Sequence, residues 1–299
     1  MNVFIIGSKG FIGSNLTRHF EQLNFNVWSA DVITDYTEGA TYFLIDPSNS
    51  DYKTVFLQNK FDVCINCSGA ASVPDSLKHP HRDYLLNSAN VFNILEAIRI
   101  HQPTCKFINL SSAAVYGNPE QLPIKENAKA LPISPYGFHK LMSEQIGEEF
   151  FRFFHIPTCS LRIFSVYGEG LKKQLFWDLF SKTRFREKIV LFGTGLESRD
   201  FIYIEDLAQA IQLVAEKGQF NGEVINIGNG EEIFIKDCVN IFYHLFDGKI
   251  AYQFSGEVRS GDPNNWVANI DKLKRLGYKK KFTLEEGLTR YHQWITKAE

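Results

Sequence analysis

Val3 to Ile6 is a short unbroken apolar run, the pattern of a parallel strand covered on both faces. A glycine-rich turn follows, and then Leu16, Phe20 and Leu23 recur at i, i+4 and i+7, a helical stripe. The alternation continues along the chain. Residues 26–31, 42–46 and 61–67 read as the second, third and fourth strands. Residues 87–101 read as a helix with Val91, Ile94, Leu95 and Ile98 apolar. Residues 106–110 form a fifth strand, a helix follows Ser134, and residues 158–163 form a sixth strand. Strands alternating with helices over this length predict an α/β fold with a doubly wound Rossmann-type parallel sheet. After about Tyr167 the rhythm loosens. Strands are expected near Phe201 and from Val224 to Gly228, a helix from Glu205, and a closing helix near Leu284 to Trp294. Residues 1–166 are expected to form the doubly wound domain, with some later segments returning to it. Residues 167–299 are expected to form mainly a smaller C-terminal lobe packed on it.

The chain has 299 residues, 44% hydrophobic, with a net charge of −2. That length allows a large core, and the near-zero charge argues against nucleic acid or a membrane surface as partner. No apolar run approaches a membrane span. The start of the chain lacks the basic residues of a signal peptide and reads as a strand beginning at once. Five cysteines, an odd number, suit a reduced, cytoplasmic protein. Cys64 and Cys67 form a C-x-x-C within an apparent strand. Residues three apart on a strand face opposite ways, so they read as core cysteines and no metal is expected.

The candidate chemistry sits at strand ends. Gly7-x-x-Gly10-x-x-Gly13 lies between the first strand and the first helix, with Phe11 and Ile12 inside it. Its glycines suit a tight turn, close approach of a pyrophosphate and close helix packing, with the phosphates at the helix N-terminus. Asp31 ends the second strand, where an acid takes the ribose hydroxyls of NAD and repels the 2′-phosphate of NADP. Asp46 ends the third and is expected either to accept from the adenine amine or to cap the next helix. Ser68, Gly69 and Ala70 form a small-residue loop that allows close contact with the cofactor. Ser112 follows the fifth strand. Tyr136 and Lys140, four apart, share a helix face if helical. An ammonium beside a phenol favours the phenolate and is expected to lower the Tyr136 pKa.

These residues together resemble the extended short-chain dehydrogenase/reductase family, in its nucleotide-sugar epimerase/dehydratase branch. The resemblance rests on the glycine loop, on 112–117 (S-A-A-V-Y-G), on Tyr136-x-x-x-Lys140 and on 161–168 (L-R-I-F-S-V-Y-G). Arg199-Asp200-Phe201 with Asp206, Asn226-Ile227-Gly228 and Arg259-Ser260-Gly261-Asp262 extend it over essentially the whole chain. It implies Ser112, Tyr136 and Lys140 as catalytic residues, NAD as cofactor with Asn87 among its contacts, and a nucleoside-diphosphate sugar as substrate. Arg199 and Arg259 would bind the diphosphate, Asp262 the nucleoside ribose and Phe192 the base, with Ser165 at the sugar. The alternatives are an ion pair of each arginine with Asp200 or Asp262, and a core position for Phe192.

Two departures bear on the reaction. The 4,6-dehydratases of this branch carry an Asp-Glu pair where this chain has Ala113 and Ala114, so elimination of water has no acid or base. Ser165 replaces an Asn usual in 4-epimerases. Trp266 falls where many epimerases have Tyr or a small residue beside the sugar, and its bulk leaves little room for an N-acetyl group. The resemblance thus points to an NAD-dependent nucleotide-sugar 4-epimerase. The alternatives are an NAD(P)H-dependent 4-keto-6-deoxy nucleotide-sugar reductase and a non-catalytic NAD-binding protein. It also implies a homodimer joined through the helices that begin near Asn87 and Tyr136, with Phe150, Phe151, Phe153 and Phe154 as interface or core, and a place in polysaccharide synthesis.

Overall fold

The computed structural model describes residues 1–36, 39, 41–46, 50–184, 189–246, 250–257 and 263–297. In chain order its elements are β1 (Asn2–Ile6), α1 (Phe11–Gln22), β2 (Asn26–Asp31), β3 (Tyr42–Leu44), α2 (Lys53–Gln58), β4 (Val63–Asn66), α3 (Val73–Lys78), α4 (Pro80–Tyr84), α5 (Asn90–His101), β5 (Lys106–Ser112), α6 (Pro135–Phe154) and β6 (Thr158–Ile163). There follow β7 (Ser165–Tyr167), α7 (Gln174–Thr183), β8 (Ile189–Leu191), β9 (Ser198–Arg199), β10 (Phe201–Tyr203), α8 (Ile204–Lys217), β11 (Asn221–Ile227), β12 (Ile233–Phe234), α9 (Ile235–Tyr243), β13 (Tyr252–Phe254), α10 (Asp271–Arg275) and α11 (Leu284–Lys297). A π-helical turn, Leu85–Ala89, joins α4 to α5, and a 3₁₀ turn, Ala113–Tyr116, follows β5.

Seven strands make one sheet in the order β11-β6-β5-β4-β1-β2-β3, all pairs parallel. The chain starts in the middle at β1, moves outwards to β3, then crosses back to β4 on the other side of β1. That reversal opens a crevice at the carboxyl ends of β1 and β4, where ligands bind in such sheets. The strands are covered on both faces. One core, holding Val3, Ile5, Ile65 and Ile108, continues into the later segments, and the other, holding Phe4, Ile6, Cys64 and Phe107, packs against α2 and α5. Cys64 belongs to the second core and Cys67 packs against the first, on the opposite side, as the period of two requires.

Several boundaries differ from those expected. β3 stops at Leu44, because its partner β2 ends at Asp31, opposite Leu44. The helix expected from Asn87 begins as the π-helical turn and becomes α-helical at Asn90. β5 runs on to Ser112, because β6 pairs with it as far as Ser112 opposite Ile163. Beyond β6 the loosened rhythm resolves into two-stranded pairings, β7 with β10, β9 with β12 and β8 with β13, while β11 returns to the edge of the main sheet. Among the described residues no helix is long and apolar enough to cross a membrane.

Candidate active site

A cavity of about 790 Å³ opens at the carboxyl ends of the strands. Its lining includes Gly10, Phe11, Ile12, Ser68, Gly69 and Ala70, together with Ser112, Tyr136 and Lys140, and with Ser165, Phe192, Arg199 and Trp266. The fold thus brings the glycine loop, Ser112, Tyr136 and Lys140, and the expected sugar-side residues to one space. Arg259 and Asp262 lie outside the described residues.

The glycine loop is built by close approach. Gly7 has φ +81°, and a Cβ on Gly13 would stand 2.1 Å from the Gly7 carbonyl oxygen, so α1 can pack on the turn only with hydrogen there. Gly10 is exposed, which leaves its backbone open to a phosphate. Asp31 accepts from the Lys9 backbone N–H at 2.8 Å and from that of Val32 at 2.7 Å, so it braces the loop from the end of β2. Asp46 is exposed beyond β3, and the α2 terminus is served instead by Asp51, which accepts from Lys53 N–H at 2.8 Å.

On the other side of β1, Ser68 donates to Asn66 Oδ1 at 2.5 Å and accepts from Asn90 at 3.0 Å. Asn87 lies behind Gly69, where a Cβ would fall 2.5 Å from Asn87 Oδ1. The Asn87 amide is buried and neither of its polar atoms has a hydrogen-bond partner among the described residues. The open backbone at the N-terminus of α1, with the small-residue loop Ser68, Gly69 and Ala70 across the same cavity, fits a dinucleotide, while the unsatisfied Asn87 amide lies behind Gly69 and off the cavity lining.

α6 starts on a side-chain cap, Ser134 Oγ accepting from Gly137 N–H at 3.2 Å, with Pro135 in the first turn. A Cβ on Gly137 would stand 2.6 Å from the Ala114 carbonyl oxygen, so this glycine lets α6 press against the turn that carries Ser112. That packing joins Ser112 to Tyr136. Burial raises the Tyr136 phenol above its ordinary value, a hydrogen bond from Ser112 lowers it, and the charge of Asp83 raises it. The downward shift expected from Lys140 is therefore not what this structure shows: burial is the largest influence, and the one that lowers the phenol comes from Ser112. Lys140 Nζ donates to the Leu110 carbonyl at 2.8 Å and lies 6.0 Å from the Tyr136 ring centroid. Burial pushes this ammonium down to about 8, with Asp83 foremost among the groups that oppose the fall.

Several functional supports were not read from the sequence. Glu144, one turn beyond Lys140, accepts from Ser111 Oγ at 2.5 Å and from Arg162 Nη2 at 2.7 Å, tying α6 to the ends of β5 and β6. The signals were a carboxylate at the same four-residue spacing and an arginine inside an apolar strand. Asp200 is buried and accepts backbone N–H groups from Asn229, Gly230 and Ala268 at 2.7–3.0 Å. Burial raises it to about 6 against those bonds, and the bonds tie the turn after β11 to the segment at Ala268. Arg199 donates to the Ser198 and Asn264 carbonyls at 2.8 and 3.1 Å and lies 5.6 Å from the Trp266 ring centroid. The Trp266 indole donates to the Gly117 carbonyl at 2.9 Å and meets Phe164 edge-on. Phe192 is half exposed on the cavity wall rather than in the core, and Ser165 is half-buried in β7.

The sequence pattern of a family described as "NAD dependent epimerase/dehydratase family" matches residues 3–228. The uncharacterized UDP-glucose epimerase YtcB of Bacillus subtilis is 29% identical, covering 97% of this chain and 96% of its own length. Among solved structures of similar fold are two that are each 26% identical. The UDP-glucuronic acid 4-epimerase of Bacillus cereus, in complex with UDP-glucuronic acid and NAD, superposes with a TM-score of 0.90 and covers 100% of both chains. The UDP-N-acetylglucosamine 4-epimerase of Methanobrevibacter ruminantium, in complex with UDP-N-acetylmuramic acid, has a TM-score of 0.89 and covers 100% of this chain and 99% of its own.

Proposed function

Since the chain belongs to the NAD dependent epimerase/dehydratase family, we propose that it is a UDP-sugar 4-epimerase that works by transient oxidation at C4 of the sugar. The observation that carries this reading is the convergence of Ser112, Tyr136 and Lys140 with the glycine loop in one cavity. NAD, when bound, supplies a reversible hydride acceptor and a positive charge beside the phenol.

Tyr136 takes the proton of the sugar 4-hydroxyl and later returns it. Its raised phenol means that the proton is released only when positive charge stands close, and Lys140 supplies such charge from the same helix face. Ser112 bonds the same sugar oxygen and relays the proton. The 4-keto sugar then turns over in the cavity and is reduced on its other face, so no net oxidation occurs. Ala113 and Ala114 are buried and offer no acid or base, which speaks against loss of water. Arg199, at the cavity wall, is the diphosphate ligand among the described residues. Trp266, fixed by its bond to Gly117, narrows the sugar end, so a hexose without an N-acetyl group is the preferred substrate. The two UDP-sugar 4-epimerases of similar structure make uracil the first base to test.

The test is proton NMR of the purified protein with UDP-, GDP-, dTDP- and CDP-sugars and no added cofactor. A new C4 epimer growing to equilibrium, fastest with UDP and without the N-acetyl group, is the expected result. Silence across the panel sinks the epimerase. Steady consumption of NADH or NADPH with 4-keto-6-deoxy nucleotide sugars would replace it with the reductase.

A further inference from the structure

Asp83 in α4 is 3% exposed, and its Oδ1 accepts from His139 Nδ1 at 2.6 Å. Its other carboxylate oxygen is buried and has no hydrogen-bond partner among the described residues. His139 lies in α6, three residues after Tyr136 and directly before Lys140. Two more bonds tie the same stretches together. Ser88 Oγ donates to the His139 carbonyl at 2.9 Å, and the Tyr136 N–H donates to Ser76 Oγ at 3.2 Å. Neither Asp83 nor His139 lines the cavity, so neither is placed to touch a substrate.

Burying a carboxylate with acceptor capacity unused is unfavourable, and such departures persist where the charge serves a site. The groups around Lys140 narrow what it serves. Its own helix brings Tyr136, His139 and Glu144, the loop after β4 brings Cys67, and α4 brings Asp83. Glu144 is already engaged by Arg162 from β6 and by Ser111 from β5. Asp83 is the carboxylate near Lys140 with an oxygen to spare. We propose that Asp83, held by His139, is the buried counter-charge that keeps Lys140 protonated during the reaction, a positioning residue acting through Lys140. Burial drives the Lys140 ammonium down and outweighs the opposing influences, which Asp83 leads, so the group settles at about 8. The same charge helps to hold the proton on Tyr136. This inference rests on the reading that Tyr136 and Lys140 are the reacting pair.

The test follows Lys140 directly. Protein labelled with ¹³C at the lysine Cε is titrated by NMR, the Lys140 resonance being the one lost in Lys140→Met. Asp83→Asn keeps an acceptor for His139 and removes the charge. It should lower the Lys140 midpoint by about one pH unit, the size of a close opposite charge, and Asp83→Glu should restore it. With a turned-over sugar, the alkaline fall of kcat should shift by the same amount with KM unchanged, and the deficit should vanish at low pH. A folded Asp83→Asn whose Lys140 midpoint stays in place overturns the proposal and leaves the pair as a brace between helices. Should that variant be unstable, Asp83→Asn with His139→Gln, a neutral pair, carries the same expectation. The titration needs no substrate. A shifted midpoint in a protein that turns over no UDP-sugar upholds the counter-charge and sinks the epimerase, and a fixed midpoint in an active epimerase does the reverse.

Discussion

Lys140 exchanges hydration for one carbonyl, that of Leu110, and its pKa falls from 10.5 to about 8. At about 1.4 kcal/mol per unit the buried charge costs the fold about 3 kcal/mol at neutral pH. The sign follows from which state holds the proton. Below pH 8 both states carry it and the folded one bears the desolvation, whereas between about 8 and 10.5 only the unfolded state keeps it, so stability rises with pH through that window. Lys140→Met should therefore raise the melting temperature of the cofactor-free protein by a few degrees at pH 7, and the difference should shrink towards pH 10. A variant no more stable than the parent at pH 7 would count against the shift. Tyr136→Phe removes only the phenol oxygen. Stopped assays should show kcat down by about 10²–10⁴ with NAD still bound, and an unchanged rate would favour the non-catalytic alternative. The spacing of Tyr136 and Lys140 was legible in the chain. The direction of the phenol's shift was not, because desolvation depends on what α3, α4 and the strand ends place around it.

At the scale of elements, the strand-turn-helix unit from β1 to α1 was readable because its glycines have steric jobs that no other residue can do. Gly13→Ala should weaken NAD binding at least tenfold and destabilise the protein by about 2–4 kcal/mol, since its methyl would meet the Gly7 carbonyl at 2.1 Å. Isothermal titration and thermal melts check both, and normal binding would mean that the turn opens without cost. α6 was expected after Ser134, yet Gly137 and Glu144 were not assigned, although they press it against the Ser112 turn and lock it to β5 and β6. Their partners lie in segments distant along the chain, which periodicity cannot pair. β3 differs from expectation for the same reason, ending where its partner β2 ends.

For the molecule as a whole, the π-helical turn, α5 and α6 leave Leu85, Phe92, Phe138, Met142, Phe153 and Phe154 exposed. Phe150 is in the core, so the four phenylalanines expected as interface or core divide. We propose that this face joins two copies of the chain. Sedimentation equilibrium should give twice the chain mass, and Phe138→Asp with Met142→Asp should give a folded monomer. A monomeric parent would rule the face out. The later segments illustrate the limit of local reading: Arg199 and Asp200 are neighbours that could have paired, but Asp200 is spent on three backbone N–H groups and Arg199 reaches carbonyls and the Trp266 ring instead.

The sequence by itself determined the alternation of strands and helices, the glycine loop, the positions of Ser112, Tyr136 and Lys140, and the family. Each depends on periodicity or on a residue type that one local geometry demands. Tertiary structure alone decided that Ser112 meets Tyr136, that Asp83 and Glu144 flank Lys140, that Trp266 and Phe192 stand on the cavity wall, and which way the buried groups titrate. Those properties depend on distances and on exclusion of water between residues far apart in the chain, and both exist only once the sheet has assembled.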